Sequence, residues 1–523
     1  MKLVSISKIL GLIITLTLLA PALAKSDNHH NDEVVKFVKG GAPAGGDGSR
    51  KHPYNLLQTA QADASWDILV VLSSSVALTD GIILSGRNLI GEENPTCLTL
   101  SAKQPTLSTH GVTVVGNAII ENISFQNMTG SAINFDQAGN LTVKNVRINN
   151  FNTAKSTSSS ASGITATSIN PGKTRLEHVI ISNSNSTSTP GVYELAHANR
   201  ELDVEECELF ALSSTGIHAE PVGSSIRYSL SVVDCYLHDF IGSPLGILCF
   251  PDQAKQTACV KNSVFKNIGA STTISCQPSN TASLILKVDT CRFEETKANT
   301  GTAIQIESVN SLSELSIENS TCTNMAIFFS AILRDTSSQP SSVQKNMLCG
   351  NNVSAATFYQ TSNASSSSGN SGVEIAQIQE NIFTGMTGVL ITLTLKEYLL
   401  LDITAEHNCF TGTGTGSFGF HTTSNFNVGN AVIKAHCNSI SNFATDINDA
   451  GSNVNYLVSR NFWGQPTTSC SSSTPCPGTY QICQNNLCLG PTTSLGTSGH
   501  TFTGFVDAND PLAQSIKCPN GCC

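Results

Sequence analysis

Two groups of titratable residues recur at nearly equal intervals along the chain. His178, Glu206 and Asp234 are each separated by 28 residues. An imidazole beside carboxylates can exchange protons with a substrate or help to bind a cation. The second group has a similar spacing and consists of Glu380, His407, His436 and Arg460. These residues are the candidate ligand-binding residues, although an exposed polar corner of a repeated fold is the favoured explanation, because the other repeats also carry a polar residue there.

Equal spacing requires a repeated unit that brings one position of each repeat to the same edge of the molecule. We anchor the unit on the residue that follows the polar position. The anchors span 338 residues in 12 intervals, a mean near 28. They are Ile123, Val146, Val179, Cys207, Cys235, Ser263, Cys291, Ser320, Asn346, Asn381, Asn408, Cys437 and Asn461.

Each repeat has the same internal pattern, shown here by the copy anchored on Cys207. Leu202 and Val204 alternate with polar residues, which predicts a strand with one buried face. Glu206 breaks the alternation and predicts a corner. Leu209 begins a short second strand, and the residue four positions after most anchors is Asn, Asp or Gly, which favours a turn.

The length of the repeat excludes two other architectures. A βαβ unit needs about 30 or more residues including a helix, and a propeller blade needs about 40 or more. We therefore predict an all-β fold in which each repeat forms one coil of a parallel β-helix. Thirteen anchors and two earlier apolar strands give roughly 13–16 coils, stacked about 4.8 Å apart.

The chain resembles right-handed parallel β-helix proteins of the pectin-lyase-like superfamily. "DGSRKHPYNLLQTA" (47–60) is similar to their N-terminal segment, in which a short helix covers the first coil. "RNFWG" (460–464) and "GFVDANDPL" (504–512) resemble the sequence segments that end the last coil of these proteins. The predicted organisation is a signal peptide at 1–24, a leader and capping helix at 25–65, the β-helix at 66–469 and a Cys-rich cap at 470–523.

The resemblance implies that an enzyme of this kind would cleave acidic polysaccharides. Polygalacturonase-like members use adjacent aspartates and a Gly-His-Gly step, but this chain has no Asp-Asp pair. Its nearest piece, "TGIHAE" (215–220), lacks the second glycine. No repeat presents the aspartate cluster with which pectate-lyase-like members bind calcium. We therefore assign no catalytic residue, metal or cofactor from the sequence.

The cysteines fall into two groups. Cys207, Cys235 and Cys291 are anchors, and stacking in register holds them in a poor orientation for bonding, so we expect free buried thiols. The other group lies in a loop-like tail, where we predict disulfides, with a zinc site as the alternative. The disulfide candidates are Cys470, Cys476, Cys483, Cys488, Cys518, Cys522 and Cys523.

The N-terminus and the charge suggest a cellular location. "ILGLIITLTLLA" (9–20) is too short to span a bilayer, and it precedes the small-residue site "ALA" (22–24), which together indicate a secretory signal peptide. The formal net charge of −10 disfavours nucleic acid and anionic membranes as partners. We expect a secreted or extracytoplasmic protein, in the periplasm or at the cell surface, without a membrane span.

Two functions of different classes remain open. The first is a non-enzymatic scaffold, which we expect to be a monomer, that presents a long surface for adhesion to a polysaccharide or a host or cell-surface molecule. The second is a polysaccharide lyase or glycoside hydrolase that acts on an acidic polysaccharide. The scarcity of aromatic residues, 6% of the chain, counts against a glycan-binding lectin and against a polysaccharide enzyme, because glycan binding usually needs stacked aromatic rings.

Overall fold

The computed structural model describes most of the chain between residues 33 and 461 and four short strands beyond it. The residues between 33 and 461 that it leaves out are 64, 73–74, 79–80, 93–95, 101–109, 137–138, 152–161, 185–186, 243, 270–271, 297–300, 335–336, 350–353, 362–372, 387–388, 396–399, 413–417, 425–430, 442–444, 450–453 and 460. After 461 it describes 482–484, 487–489, 493–495 and 501–503.

Three parallel sheets run along the molecule, and the chain visits them in a fixed order. Sheet A contains 17 strands, sheet B 14 and sheet C 15. From Ile68–Val71 to Val454–Ser459, the chain passes from sheet A to sheet B and then to sheet C, and it returns to sheet A one coil further on. This architecture is the predicted parallel β-helix.

The strands have the following bounds. Sheet A comprises Val35–Val38, Ile68–Val71, Asn88–Gly91, Ala118–Glu121, Leu141–Lys144, Gly172–Glu177, Arg200–Glu205, Arg227–Val233, Lys255–Lys261, Ser283–Asp289, Leu312–Glu318, Ser338–Gln344, Val373–Gln379, Leu400–Glu406, Ala431–His436, Val454–Ser459 and Thr501–Thr503. Sheet B comprises Ser75–Leu78, Thr96–Leu100, Ile123–Gln126, Arg147–Asn149, Ile180–Ser184, Glu208–Leu212, Tyr236–His238, Val264–Lys266, Arg292–Glu294, Thr321–Thr323, Met347–Cys349, Ile382–Met386, Cys409–Gly412 and Ser439–Ser441. Sheet C comprises Ile82–Ser85, Val112–Val115, Ile133–Asp136, Ile164–Ser168, Val192–Ala196, Ile217–Pro221, Ile247–Cys249, Thr272–Cys276, Thr302–Val309, Ile327–Arg334, Ser354–Thr361, Val389–Leu395, Phe418–Ser424, Thr445–Asp449 and Thr493–Leu495.

The central strands of sheet A stack in the predicted register. Val204 lies beside Val232, and the same row continues through Val260 and Val288 to Ile317. All five side chains are buried in the interior of the coil. Similar apolar side chains therefore lie directly above one another, and each coil buries its neighbour's apolar surface.

The corner between sheets A and B has a left-handed backbone. The residue that precedes the anchor has a φ of 54° at His178, 52° at Glu206 and 54° at Asp234. A second left-handed residue follows in the predicted turn, at Asn150 and Asp239 among others. Asn and Asp tolerate this conformation better than most residues, which explains why the polar corner position is so often Asn.

The anchors form a polar ladder inside this corner. In the C-terminal half, Asn346, Asn381, Asn408 and Asn461 are buried and hydrogen-bonded from coil to coil. The ladder member between the last two is Asn438, whose side chain bonds to both neighbours. The prediction of Cys437 as an anchor is therefore wrong by one residue, because Cys437 occupies the left-handed corner with a φ of 53°.

Thiols and hydroxyls replace the amides in the central coils, from Cys207 to Ser320, and the anchors before them are aliphatic. Cys207, Cys235 and Cys291 are free and buried, as predicted. The backbone N–H of Cys235 donates to Ser263 Oγ at 3.2 Å, and that of Cys291 donates to Ser320 Oγ at 3.1 Å, so a hydroxyl takes the place of the amide oxygen in these coils. Cys409 in sheet B is disulfide-bonded, which the sequence pattern did not indicate.

A buried ion pair lies inside the coils near the corner between sheets C and A. Arg200 Nε is 2.7 Å from Glu194 Oε1, and both side chains are fully buried. The hydroxyl of Tyr228 donates to Glu194 Oε2, and Thr174 accepts a bond from Arg200. Burial raises the pKa of Glu194, while Arg200 and the hydroxyl groups oppose that shift. The network stabilises both charges in an otherwise apolar interior.

The segment before the coils contains one helix. The α-helix Leu57–Ala62 buries Leu57 and Ala60, whereas Leu56, predicted on the same apolar face, is 38% exposed at the helix N-cap. Strand Val35–Val38 precedes the helix and already belongs to sheet A. The capping role of the helix stays a prediction. No helix in the described part of the chain is long and apolar enough to cross a membrane.

The tail is described only in part. Strands Ile482–Gln484 and Leu487–Leu489 pair antiparallel, with Cys483 opposite Cys488. The Cys-rich cap and its disulfides stay predictions. The signal peptide, the 504–512 segment and the remaining tail cysteines lie outside the described residues: Cys470, Cys476, Cys518, Cys522 and Cys523.

The ladder provides a test of what holds the coils together. Asn408 Oδ1 accepts bonds from the backbone and side chain of Asn381, and Asn408 Nδ2 donates to Ile378 O and Asn438 Oδ1. We expect Asn408→Ala to lower the free energy of unfolding by about 3 kcal/mol, because several buried polar groups lose their partners. Denaturant unfolding measures this change. Asn134→Ala, at a half-buried position on sheet C, is the control and should change it by less than about 0.5 kcal/mol. Equal stability of the two variants would contradict the role given to the ladder.

Candidate functional site

The first predicted group of titratable residues lies on successive corners. His178, Glu206 and Asp234 are exposed there, one coil apart. His178 Nε2 is 2.6 Å from Glu206 Oε2, so these two side chains meet as the spacing predicts. No cationic side chain of the described residues forms an ion pair with Asp234. The first group is therefore one exposed pair and a neighbouring carboxylate.

The second predicted group is not a continuous row. Glu380 and His407 occupy left-handed corners, with φ values of 55° and 56°. His436 was assigned to the same row, which is wrong, because it ends a sheet A strand, beside Glu406, and Cys437 takes the corner. Arg460 lies outside the described residues.

A cluster of aromatic rings and carboxylates lies next to the first group on sheet B. We call it the acid–aromatic patch, and it consists of Glu208, Phe210, Tyr236, His238 and Asp239. The His238 ring stacks on Tyr236 with 4.0 Å between centroids and on Phe210 with 5.2 Å. Tyr236 is 36% exposed, so part of its ring faces solvent.

Two carboxylates fix the histidine of the acid–aromatic patch. His238 Nε2 is 3.0 Å from Glu208 Oε1, and Nδ1 is 2.9 Å from Asp239 Oδ2. The amide of Asn267 and then His238 donate hydrogen bonds to Asp239 and lower its pKa. Asp239 is therefore ionised at neutral pH. Oriented rings with carboxylates at their edge can stack on a sugar face and accept its hydroxyl hydrogens.

The sequence indicates this patch through the outward positions of the sheet B strands. Positions one and three after the anchor alternate with the buried position between them, so they point outward. Tyr236 and His238 occupy these positions in one coil, and Glu208 and Phe210 occupy them in the preceding coil. Their convergence depends on the register between coils, which composition alone does not reveal.

A third cluster lies on sheet C, in the "TGIHAE" stretch. Tyr193 and His218 are neighbours in register, and their rings meet edge to face at 5.1 Å. The Tyr193 hydroxyl donates to Glu220 Oε2 at 2.9 Å, and His218 Nε2 lies 3.8 Å from the same oxygen. Burial lowers the pKa of His218 to about 4 and raises that of Tyr193. The cluster thus holds a neutral imidazole beside a carboxylate.

Metal binding finds no support in the described residues. No three His, Cys, Asp or Glu side chains among them converge as ligands of one ion. Two carboxylates on the outward face of sheet C, Glu220 and Glu307, are separated by three coils, which is about 14 Å at the spacing of parallel strands. Glycosidases that act through paired carboxylates hold them about 5–9.5 Å apart. These two residues therefore do not form such a pair.

The neutral His218 makes stability depend on pH. Its pKa falls from the ordinary value of 6.5 to about 4 in the folded chain, so the unfolded chain binds more protons between these values. Stability should therefore fall as the pH drops from 6.5 to 4, by up to about 3 kcal/mol from this residue. Denaturant unfolding at several pH values measures this dependence. The free energy of unfolding should fall less steeply with decreasing pH in His218→Gln than in wild type. The exposed His178→Gln is the control, and a wild-type slope in His218→Gln would contradict the burial of a neutral imidazole.

Comparisons with known proteins return only distant similarity. No family model and no curated protein matches the chain. The catalytic domain of a GH87 alpha-1,3-glucanase in complex with nigerose has a TM-score of 0.37 at 12% identity, covering 65% of this chain and 70% of that one. A rhamnogalacturonan lyase has a TM-score of 0.21 at 8% identity, covering 89% of this chain and 87% of that one. These values carry no information on activity, and the assignment of fold rests on strand pairing. By that pairing, the chain is a parallel β-helix.

Proposed function

We propose that this chain is a secreted or cell-envelope β-helix scaffold that binds a glycan non-covalently and has no catalytic activity. The observation that carries the proposal is the acid–aromatic patch, in which Tyr236 presents a partly exposed ring beside Glu208 and Asp239. The ring supplies an apolar face for the C–H groups of a sugar, and the carboxylates accept hydrogen bonds from its hydroxyls.

The position of the patch also suits adhesion. It lies on an outer face of a rigid sheet, where a long polymer can lie across several coils. Two further carboxylates, Glu206 and Asp234, are exposed on the adjoining corner. This concentration of negative charge disfavours acidic polymers at the patch, since like charges repel. A neutral or amino-bearing glycan is therefore the favoured ligand of this surface.

A polysaccharide lyase or hydrolase is the second candidate, and the sheet C cluster is what favours it. A neutral His218 is able to accept a proton, and Glu220 lies beside it. Two features weigh against this function. The ring nitrogen of His218 that lacks a hydrogen bond is buried, and Glu220 and Glu307 are too far apart for paired-carboxylate hydrolysis. The scaffold therefore remains the proposal.

A glycan array on the purified protein tests the binding function. We expect neutral or amino-bearing glycans among the hits, and Tyr236→Ala should weaken their binding at least about tenfold, since it removes the ring on which the sugar stacks. Ile83→Ala removes an exposed apolar side chain on sheet C and should leave binding unchanged. Equal loss in both variants, or no hits, would exclude the patch as the binding site.

The same preparation tests the enzymatic alternative. Incubation with the glycans that bind, and with acidic polysaccharides, should release no reducing sugar and produce no unsaturated uronate. Release by wild type that His218→Gln abolishes would instead establish the lyase or hydrolase. His178→Gln is the matched control, because it removes an exposed histidine on a different face.

A further inference from the structure

A groove crosses the coils at the corner where sheet C gives way to sheet A, away from the acid–aromatic patch. It has a volume of about 830 Å³ and runs over the first residues of five consecutive sheet A strands, from Gly172–Glu177 to Ser283–Asp289. Its outer lining includes Ser229 and Thr257, both exposed. The groove thus combines an extended shape with hydroxyl groups.

Two unpaired cations stand at the groove. Arg227 and Lys255 are neighbours in register on consecutive coils, and both are exposed. No carboxylate of the described residues lies within ion-pair distance of either. Lys173 also lines the groove, together with Glu201, but its amino group is 3.2 Å from Glu201 Oε2 and contacts Asp203 as well. Arg227 and Lys255 repel each other across one coil spacing, and an anion placed between them relieves that repulsion.

The side chains that alternate with the outward residues of the groove point into the coil. Gln256 lies in register with Tyr228, is 1% exposed, and shares the interior face of its strand with Ala258 and Val260. Tyr228 and Arg200 also point inward, where they bond to Glu194. The side chains that can contact a ligand in the groove are therefore the outward ones, Arg227, Lys255, Ser229 and Thr257 among them.

We propose that this groove binds a phosphate monoester, with Arg227 and Lys255 as the charged ligands. A phosphate monoester carries a charge of about −1.5 to −2 at neutral pH and three oxygen acceptors. It can pair with two cations at once and still accept hydrogen bonds from Ser229 or Thr257. A carboxylate carries one charge on two oxygens and would leave one cation uncompensated.

The site is independent of the proposed glycan function. The net charge of the chain is −10. Two adjacent cations without carboxylate partners are therefore unexpected in so acidic a chain. The phosphate monoester could belong to a soluble sugar phosphate or to a lipid headgroup, since the recognised chemistry is the same. An experiment with both forms identifies the source.

Binding of glucose 6-phosphate to the full chain is measured by calorimetry, with glucose and glucuronate as matched comparators. A second arm measures co-sedimentation with phosphatidylcholine vesicles that contain phosphatidic acid. We expect glucose 6-phosphate or the phosphatidic acid vesicles to bind, glucose not to bind, and glucuronate to bind at least about tenfold more weakly than glucose 6-phosphate. Added salt should weaken binding, as for any exposed charge contact.

Variants locate the site. Arg227→Gln and Lys255→Gln should each weaken binding about tenfold or more, because each removes one charge-assisted contact. Lys287→Gln is the control, since it makes the same change at an exposed lysine on sheet A outside the groove.

Every outcome decides the proposal. Soluble binding that Arg227→Gln weakens supports a sugar phosphate, and binding confined to vesicles with the same sensitivity supports a lipid headgroup. The proposal is overturned by no binding in either arm, by equally tight glucuronate binding, or by equal loss in Lys287→Gln. Tyr236→Ala must retain phosphate binding, which separates a failure of this inference from a failure of the glycan proposal.

Discussion

Backbone hydrogen bonds at the corner between sheets A and B hold each coil in register with the next. The N–H of Glu206 donates to Val233 O at 3.0 Å, and the N–H of Asp234 donates to Lys261 O at 3.1 Å. Each of these residues has a left-handed backbone, and the side chain that follows is directed into the ladder. The register set at this corner therefore determines which side chains lie beside one another on the outer faces of the sheets.

Much of this architecture could be predicted from the sequence because it repeats. The alternation at Leu202 and Val204 indicates a buried face, and the repeat length excludes helical crossovers. The ladder was harder to predict. Its members are Cys, Ser or Asn according to the coil, so Cys437 and Asn438 both suit the position by type, and the structure places Asn438 in the ladder and Cys437 at the corner. Side chains of different length and chemistry satisfy the same position, so residue type alone does not fix register.

The candidate sites could be predicted less well than the fold. The contact between His178 and Glu206 follows directly from the spacing of 28 residues. The acid–aromatic patch joins residues of two coils that differ in type, such as Phe210 and His238, so no single repeat displays it. The groove is a candidate anion site because two of its cations lack a carboxylate partner, and the sequence does not show which cations these are. Lys173 and Lys255 look alike in the sequence, and only the positions of Glu201 and Asp203 distinguish them.

The composition of the ladder changes along the rod, and this gradient has a mechanical consequence. Each amide of the C-terminal half, such as Asn381, bonds to the coils on both sides through its oxygen and its nitrogen. A thiol such as Cys207 makes weaker and longer contacts, 3.4 Å to Val179 N and 3.7 Å to Leu176 O. Since contacts reach only from one coil to the next, the coils resist tension as links in series. A rod pulled from its two ends would thus open first among the coils that lack amide anchors, and the amide-bearing half would stay wound.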